Sequence, residues 1–300
     1  MANGVKCWTD DYHLIAALAL CEDLSASCYD CFAEFLKTGK VRGSDVTTDA
    51  IFQNEKSEAV VISKSKGVLS GTKIFKLVYE LIDEEVKAKF LKNDSDSLEI
   101  GDEICRISGR MSSILKGERT ALNFIGHLSG IATEVNNLLK ELSNVKVTLI
   151  DTRKTTPGMR RLEKEAVIHG GAQNHRFGLY DMVLIKDNHI DATGSIKNAV
   201  EKVRKKYGNL YKIEVETRNI SEVKEAIAQR VDRIMLDNMS KNEIEKALEL
   251  IDDRIEVEVS GNMDAEKIKN LKGLNIDYVS LGYITASVKY HDFSMVIRRK

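Results

Sequence analysis

Five side chains that carry or can acquire positive charge lie just past apolar runs or in the polar loops between them. They are Arg153, Lys154, His175, Arg176 and Lys186. Arginine forks match carboxylates and phosphates, while lysine acts as a compact point charge. The cluster therefore predicts a substrate with several negative charges. A solvated basic face is the alternative, but these cations alternate with glycine, proline and apolar strands rather than with other surface charges.

The composition of the chain shows that any anion site must be local. The chain has 300 residues, of which 43% are hydrophobic, and a formal net charge of −1. Such a chain can bury one large core or two smaller ones, and it has no bulk field to attract nucleic acid or an anionic membrane. We expect a cytoplasmic protein, because the start lacks a signal pattern and no apolar run reaches the length of a membrane span. The five unevenly spread cysteines do not predict a disulfide framework.

The first part of the chain mixes helical and strand patterns. Hydrophobic periodicity predicts helices over 12–36, 73–91 and 111–142, with Ser129-Gly130 as a candidate break in the last. Residues 44–49 form a predicted turn and cap, 59–63 a predicted strand, and 98–108 a predicted hairpin around Gly101.

From residue 145 the pattern becomes a repeat of strand and helix. The predicted strands end near Asp151, Lys186, Glu216, Asp237, Ser260 and Gly282, and the predicted helices span 195–207, 221–229, 241–251 and 264–271. Strand, helix and strand at this spacing imply parallel pairing with right-handed crossovers. The repeat predicts either a closed but incomplete barrel or an open sheet. In both, the chemistry belongs at the carboxyl ends of the strands.

Two of these strands carry carboxylates at alternate positions. Side chains alternate between the faces of a strand, so Glu214 and Glu216 point inward if Ile213 and Val215 face the helices, and Glu256, Glu258 and Ser260 repeat the arrangement. Buried carboxylates are costly unless cations or a metal accompany them. A stability network without a substrate is the alternative.

The strand ends also offer sites for a metal and for phosphates. Glu216 and Asp237 each end a strand, and two carboxylates beside a phosphorylated substrate suit Mg²⁺; Asp237 as a helix cap is the alternative. Ser260-Gly261-Asn262 and Leu281-Gly282-Tyr283 place glycine between strand and helix, where backbone N–H groups can hold phosphate. A tight turn is the alternative for each glycine.

These residues carry a resemblance to a known family that extends over nearly the whole chain. The matching pieces are Arg119-Thr-Ala-Leu-Asn123, 128–133, 151–158, 162–164, 170–176, 184–189, 214–216, 236–238, Ser260-Gly261 and 280–282, with 45–49 near the start. They resemble nicotinate-nucleotide pyrophosphorylase (carboxylating), also called quinolinate phosphoribosyltransferase. The resemblance implies a pentosyltransferase of NAD biosynthesis that converts quinolinate and phosphoribosyl pyrophosphate into nicotinate mononucleotide, pyrophosphate and CO₂.

The resemblance also implies an α/β architecture of two domains. Residues 1–117 would form an α/β sandwich that the tail 290–300 joins, and 118–289 a truncated, seven-stranded parallel α/β barrel. The family implies a homodimer or a hexamer made of three dimers, in which the neighbouring subunit donates Arg119. Neither nucleic acid nor a membrane is an expected partner.

The matching positions imply a role for each site residue. Arg119, Arg153, His175 and Arg176 match quinolinate-binding positions, and Lys154 and Lys186 match lysines between the two substrates. Glu216 and Asp237 match the acidic pair that handles Mg²⁺ and the ribose, and Ser260, Gly261 and Gly282 match the phosphate loops. Lys154, Lys186, Glu216 and Asp237 are thus the expected catalytic residues.

The sequence departs from the family pattern in four places. Residues 25–42 resemble an insertion, Glu165 stands where tyrosine is common, and Asn262 and Ala286 replace a glycine and a histidine or glutamine. Three other interpretations remain open: a phosphoribosyltransferase for another acid such as nicotinate, a non-catalytic sensor of a sugar phosphate, and a structural barrel. Turnover of quinolinate against nicotinate separates the first of them.

Overall fold

The computed structural model describes residues 11–298. Its helices are α1 (Asp11–Leu24), α2 (Cys28–Thr38), α3 (Val46–Ile51), α4 (Thr72–Ile82), α5 (Met111–Glu141), α6 (Arg160–His169), α7 (Asp187–Thr193), α8 (Ile196–Tyr207), α9 (Ile220–Ala228), α10 (Lys241–Leu248), α11 (Ala265–Asn270) and α12 (Tyr283–Ala286). Its strands are β1 (Lys56–Ser63), β2 (Gly67–Val68), β3 (Lys87–Phe90), β4 (Ser97–Leu98), β5 (Glu103–Arg110), β6 (Thr148–Ile150), β7 (Val183–Ile185), β8 (Ile213–Thr217), β9 (Arg233–Asp237), β10 (Glu256–Ser260), β11 (Tyr278–Ser280) and β12 (Phe293–Arg298).

The described chain forms two compact units. The first contains residues up to Glu134, Thr156–Gly170 and the tail from Val288, and the second contains Val135–Thr155 and Gly171–Ser287. The division falls inside α5 rather than at 117. Because compactness does not decide which piece folds by itself, the domain boundaries given above stay predictions.

The first unit is built on an antiparallel sheet with the strand order β12-β1-β5-β3. Its apolar positions include Val60 and Val61 on β1 and Ile104 on β5, which are all buried. The amphipathic helix α4 adds Phe75 and Val78, neither of which is exposed to solvent. Strands and helices therefore contribute to one apolar core.

Three predictions for the first unit were wrong in part. The helix predicted over 12–36 is two helices, because Ser27 adopts extended backbone and its hydroxyl caps α2 at Asp30 N; α2 lies within the apparent insertion 25–42. Helix α4 ends at Ile82, and Lys87–Phe90 forms β3 beside β5. The expected hairpin is absent from the described residues, since β4 pairs with β2 while β5 pairs with β1 and β3.

Helix α5 runs without the break that Ser129-Gly130 predicted. Glycine at position 130 allows close approach of the tail to the helix, because a Cβ there would lie 2.2 Å from the carbonyl oxygen of Lys289. One turn earlier, the carbonyl of Gly126 accepts a hydrogen bond from His291 N at 2.8 Å. The two glycines thus form a groove through which the tail crosses the helix.

The second unit contains a parallel sheet of six strands in the order β6-β11-β10-β9-β8-β7. All five ladders are parallel, so every strand ends at the same edge. The six strands end close to the positions expected from the sequence. The expected seventh strand is reduced to one bridge between Gln173 and Ile150 on the outer edge of β6.

The sheet must curl into a barrel-like shape. Residue 175 follows the bridge at Gln173, and β6, β11, β10 and β9 lie between that bridge and β8. A flat sheet would separate the two positions by on the order of 20 Å. His175 Nε2 nevertheless lies 2.9 Å from Glu214 Oε2 on β8. The edges β6 and β7 share no ladder among residues 11–298, so the barrel is incomplete.

Helices follow the strands of the second unit as the repeat predicts. Ser195, Asn219 and Asp264 cap α8, α9 and α11 with their side chains. Helix α7 was not predicted, because the residues up to His189 indicated only a local turn. No helix among the described residues has the length and hydropathy needed to cross a membrane.

We predict that Gly130→Ala destabilises the first unit although alanine favours helix formation. The added methyl group would meet backbone rather than a flexible side chain, so we expect a loss of about 1–3 kcal/mol in unfolding free energy. Denaturant unfolding measures it. Asn137→Ala, at an exposed position of the same helix, should leave stability unchanged or slightly higher, and equal stability of the two variants would contradict the prediction.

Candidate active site

A cavity of about 640 Å³ opens at the carboxyl ends of the strands of the second unit. Ten of the eleven site residues predicted from the sequence line it. They are Arg153, Lys154, His175, Arg176, Lys186, Glu216, Asp237, Ser260, Gly261 and Gly282. The remaining residue, Arg119, is exposed on α5 in the first unit. The alternative of a solvated basic face does not describe this arrangement.

His175 lies at the cavity wall between two carboxylates that have no solvent exposure. Its Nε2 is 2.9 Å from Glu214 and 3.4 Å from Glu258. Burial alone would lower the pKa of His175, but its hydrogen bonds to these carboxylates raise that pKa to about 9. His175 is therefore an imidazolium at neutral pH, and the site contains a cation that the sequence could not distinguish from a neutral ring.

The pKa values of the two carboxylates shift in opposite directions. Burial raises the pKa of Glu214 to about 7. Burial also acts on Glu258, but the hydrogen bond and charge of His175 outweigh it and lower the pKa of Glu258. Asp151 fixes the loop behind them, since its buried carboxylate accepts a hydrogen bond from His175 N at 2.8 Å.

Arg233 enters the interior from the start of β9. Its guanidinium donates to Glu256 at 2.9 Å and to Glu258 at 3.3 Å, and it lies 4.0 Å from the centre of the Tyr278 ring. Hydrogen bonds and the charges of nearby carboxylates outweigh burial and raise the pKa of Arg233. Sequence analysis missed this residue, since only its partners on β10 showed the inward alternation.

Lys186 and Glu216 form an ion pair at the end of β7 and β8. Lys186 Nζ lies 2.6 Å from Glu216 Oε2, and the lysine side chain is 43% exposed. The main-chain N–H of Lys186 donates to His189 Nδ1 at 2.9 Å, where α7 begins. His189 therefore fixes the lysine backbone, which is a structural role in line with its interpretation as part of a local turn.

Two guanidinium groups face the same cavity. Burial and the positive charge of Arg153 lower the pKa of Arg176. Arg176 donates to the carbonyl oxygen of Met182 at 3.2 Å, which fixes the direction of its fork. Like charges at close range repel each other, so a bound anion would relieve the repulsion between these arginines.

The backbone around Lys154 depends on Gly282. The carbonyl of Lys154 accepts a hydrogen bond from Thr285 Oγ1 at 2.7 Å. A Cβ at Gly282 would lie 2.8 Å from Lys154 Cδ. The glycine thus makes room for the lysine side chain. The following helix α12 has only four residues, so loop N–H groups rather than a helix terminus are available to a phosphate.

The loops after β9 and β10 are in close contact with each other. Gly261 has φ +107°, and a Cβ there would lie 2.7 Å from Asn238 N. Asn238 and Asn262 also adopt positive φ, a conformation that asparagine tolerates better than most residues. Asn262 therefore fills a left-handed position where a relative could carry glycine. Ser240 caps α10, which removes the alternative role of Asp237 as its cap.

Two sets of residues offer possible ligands to a cation. Glu216 and Asp237 end adjacent strands at the cavity, and a pair of carboxylates with room for water and phosphate oxygens fits Mg²⁺. His175, Glu214 and Glu258 also bring ligand atoms within 4.8 Å of one another. In this second set the imidazolium and Arg233 already balance the carboxylates, so we do not regard it as a metal site.

The cavity is also lined by residues that the sequence analysis did not name as site residues. Thr152, Leu184, Met235, Asn238, Met263, Tyr283 and Ser287 line it, as do Asn262 and Ala286. Leu184 and Met235 are apolar, and no charge or glycine pattern marks them. Only their positions near strand ends could have indicated them.

A parallel α/β barrel with cations, an acidic pair and glycine loops at its carboxyl-end mouth defines an enzyme site for a polyanionic substrate. Comparison with known families is more specific. The C-terminal domain model of quinolinate phosphoribosyl transferase matches residues 131–296, and the N-terminal domain model matches 45–129. The chain belongs to the quinolinate phosphoribosyl transferase family.

Individual relatives agree with this assignment. The chain is 42% identical over 264 residues to the probable nicotinate-nucleotide pyrophosphorylase [carboxylating] of Bacillus subtilis (strain 168), which covers 88% of this chain and 90% of the relative. A crystal structure of NadC from Streptococcus pyogenes has a TM-score of 0.84 at 40% identity and covers 94% of this chain and 95% of its own. The nicotinate-nucleotide pyrophosphorylase from Francisella tularensis has a TM-score of 0.87 at 34% identity, with 98% of each chain covered.

We predict different costs for two glycine substitutions at the cavity. Gly261→Ala should lower the unfolding free energy by about 1–3 kcal/mol, because it combines positive φ with a backbone clash. Gly282→Ala, with φ −76°, meets only a flexible lysine and should change stability by less than about 1 kcal/mol. Denaturant unfolding of both variants tests this, and a larger loss for Gly282→Ala would refute it.

Proposed function

We propose that the chain is a quinolinate phosphoribosyltransferase (decarboxylating), which makes nicotinate mononucleotide, pyrophosphate and CO₂ from quinolinate and phosphoribosyl pyrophosphate in NAD biosynthesis. Family membership and the names of the relatives support this activity. The observation that carries the proposal is the convergence of five cations and two strand-end carboxylates on one cavity.

The substrate anions match the cations of the cavity. Quinolinate carries two carboxylates, for which Arg153, His175 and Arg176 supply positive donors at the cavity. Held in this way, the pyridine nitrogen would face C1 of the ribose, and fixed orientation of two reactants removes much of the entropic barrier. The repulsion between Arg153 and Arg176 favours the bound anion over the empty site.

The second substrate requires charge neutralisation as its pyrophosphate departs. Glu216 and Asp237 would hold Mg²⁺ together with phosphate oxygens, and the ion would neutralise the leaving group. The same carboxylates would stabilise positive charge that develops on the ribose ring. Lys154 and Lys186 would bridge the reacting groups, and the loops at Ser260, Gly261 and Gly282 would hold phosphate.

The bonds change in two stages. The pyridine nitrogen forms a bond to ribose C1 as the bond to pyrophosphate breaks and its electrons leave with pyrophosphate. The bond between the adjacent ring carbon and its carboxylate then breaks, CO₂ leaves, and the electron pair stays on that carbon, where the neighbouring pyridinium charge stabilises it until it takes up a proton from water. Because substrate atoms supply the nucleophile, the mechanism requires no covalent enzyme intermediate.

We further propose that a neighbouring subunit completes each site, in a homodimer or a hexamer of three dimers. The match of Arg119 to a position that the family donates across its subunit interface, together with its exposure on α5, supports donation to another copy. We also propose a cytoplasmic location, because phosphoribosyl pyrophosphate is too highly charged to cross a membrane unaided.

The direct test of the function mixes the protein with Mg²⁺, phosphoribosyl pyrophosphate and either quinolinate or nicotinate. We expect CO₂ and nicotinate mononucleotide from quinolinate, and little turnover of nicotinate, whose single carboxylate leaves cations unpaired. Lys154→Ala and Arg176→Ala should each reduce turnover by at least about 100-fold at unchanged thermal stability. Lys202→Ala, at an exposed position of α8, is the control. Preferred turnover of nicotinate would reject the proposed substrate.

Complementation tests the shared site. Arg119→Ala and Lys154→Ala homo-oligomers should both be inactive, whereas co-expression yields mixed oligomers in which one site has both native residues. For a dimer with random mixing, we expect roughly a quarter of wild-type activity. A chain with both substitutions, co-expressed with either single variant, provides the control. If mixed oligomers form without any recovery of activity, Arg119 does not act across subunits.

A further inference from the structure

Five charged side chains of the second unit form a continuous series of contacts, and two of its members line the cavity. In order they are Glu256, Arg233, Glu258, His175 and Glu214, and we call them the interior ion chain. Its contacts measure 2.9 Å, 3.3 Å, 3.4 Å and 2.9 Å. Charges alternate in sign along the chain when His175 is protonated.

Burial strengthens the preference of each of these side chains for an oppositely charged partner. The side chains of Glu214 and Glu258 have no exposure, and that of His175 has 6%. Arg233 is 13% exposed. Removing a carboxylate from water is expensive, so each buried carboxylate favours a cationic partner within hydrogen-bond distance. A neutral ring at His175 would leave Glu214 without the charge that faces it.

His175 is held in place as well as charged. Carboxylates on β8 and β10 approach the same ring nitrogen, so the ring cannot turn without losing both contacts. Arg233 contacts the same oxygen of Glu258, Oε2, at 3.3 Å. Asp151, the residue after β6, fixes the main chain of His175. The orientation of the imidazolium is therefore set by residues of three strands and of the loop after β6 before a substrate arrives.

We infer that Glu258, supported by Arg233 and assisted by Glu214, is a positioning residue that maintains His175 as a fixed imidazolium for a carboxylate of the substrate. This inference rests on the proposed function and identifies residues behind the binding site that determine affinity for the acid. Glu258 acts through His175, whereas His175 acts on the substrate. The contacts of Glu258 and Glu214 with His175 thus connect the interior of the barrel to recognition of the pyridine acid, whereas Glu256 contacts only Arg233 within the chain.

The other charged groups around His175 define how pH should act. Glu214 faces it from β8 and Glu258 from β10, and Arg233 reaches Glu258 from β9. The charge of Arg176 interacts with Glu214. Because the pKa of His175 is raised to about 9, its charge is present below that pH and lost above it.

The test compares Glu258→Gln with Glu256→Gln in the otherwise intact enzyme. Both changes remove one carboxylate beside Arg233, but only Glu258 contacts His175. We expect the KM for quinolinate to rise about tenfold in Glu258→Gln with less than about a threefold change in kcat, and to stay near wild type in Glu256→Gln. The KM of Glu258→Gln should also begin to rise at a lower pH than in wild type. Equal effects of the two variants on KM and its pH profile would overturn the inference.

A measurement on the wild-type protein does not depend on how the variants fold. With ¹⁵N-labelled histidine and His175→Asn for assignment, both ring nitrogens of His175 should give protonated signals at pH 7.5. A neutral ring at that pH would overturn the inference. If wild type shows the imidazolium but does not turn over quinolinate, the proposed function fails instead, so the two failures are distinguishable.

Discussion

Glu214 and Glu258 lie in the interior of a parallel sheet with no exposure to solvent, and this burial constrains the rest of the second unit. An unpaired carboxylate there would cost several kcal/mol. Positive charge must therefore reach the interior from other segments, and Arg233 on β9 and His175 after the bridge at Gln173 provide it. Since His175 can touch β8 only if the sheet closes on itself, the same contacts that neutralise the carboxylates also produce the curvature. The pairing of the buried carboxylates with cations and the curvature of the sheet therefore depend on the same contacts.

The mouth of the barrel differs from its interior in the sign of the charges that predominate. In the interior, the carboxylates of Glu256, Glu258 and Glu214 alternate with the cations of Arg233 and His175. Towards solvent, Arg153, Arg176, Lys154 and Lys186 lie around one cavity. An enzyme gains from positive charge gathered in this way because preorganised charge needs no rearrangement during the reaction. A nearly neutral protein can thus bind two highly anionic substrates without a general affinity for polyanions.

The sequence was informative where local geometry alone decides the outcome. Period-two alternation identified the inward carboxylates Glu214 and Glu258, and apolar runs located the strand ends from which the cavity residues project. The sequence was not informative where residues far away along the chain determine the local structure. Lys87–Phe90 forms a strand because β5 is available beside it, and Gly130 stays helical because a tail crosses there. Arg233 was missed since nothing in its local pattern shows that Glu256 lies opposite it on the next strand, with Glu258 two residues further along. The residue roles came from family resemblance, and geometry alone could not have assigned them.

The strand order of the first unit has a consequence for how the protein is made. Strand β12 adds to the outer side of β1, yet every strand of the second unit is translated between them. The ribosome therefore synthesises every strand of the second unit before β12 is available to pair with β1. During that interval β1 has unpaired N–H and C=O groups, which are a template for association with other chains. Folding of the nascent chain should be most dependent on chaperones in this interval, and slow translation near the end of the message would prolong the exposure.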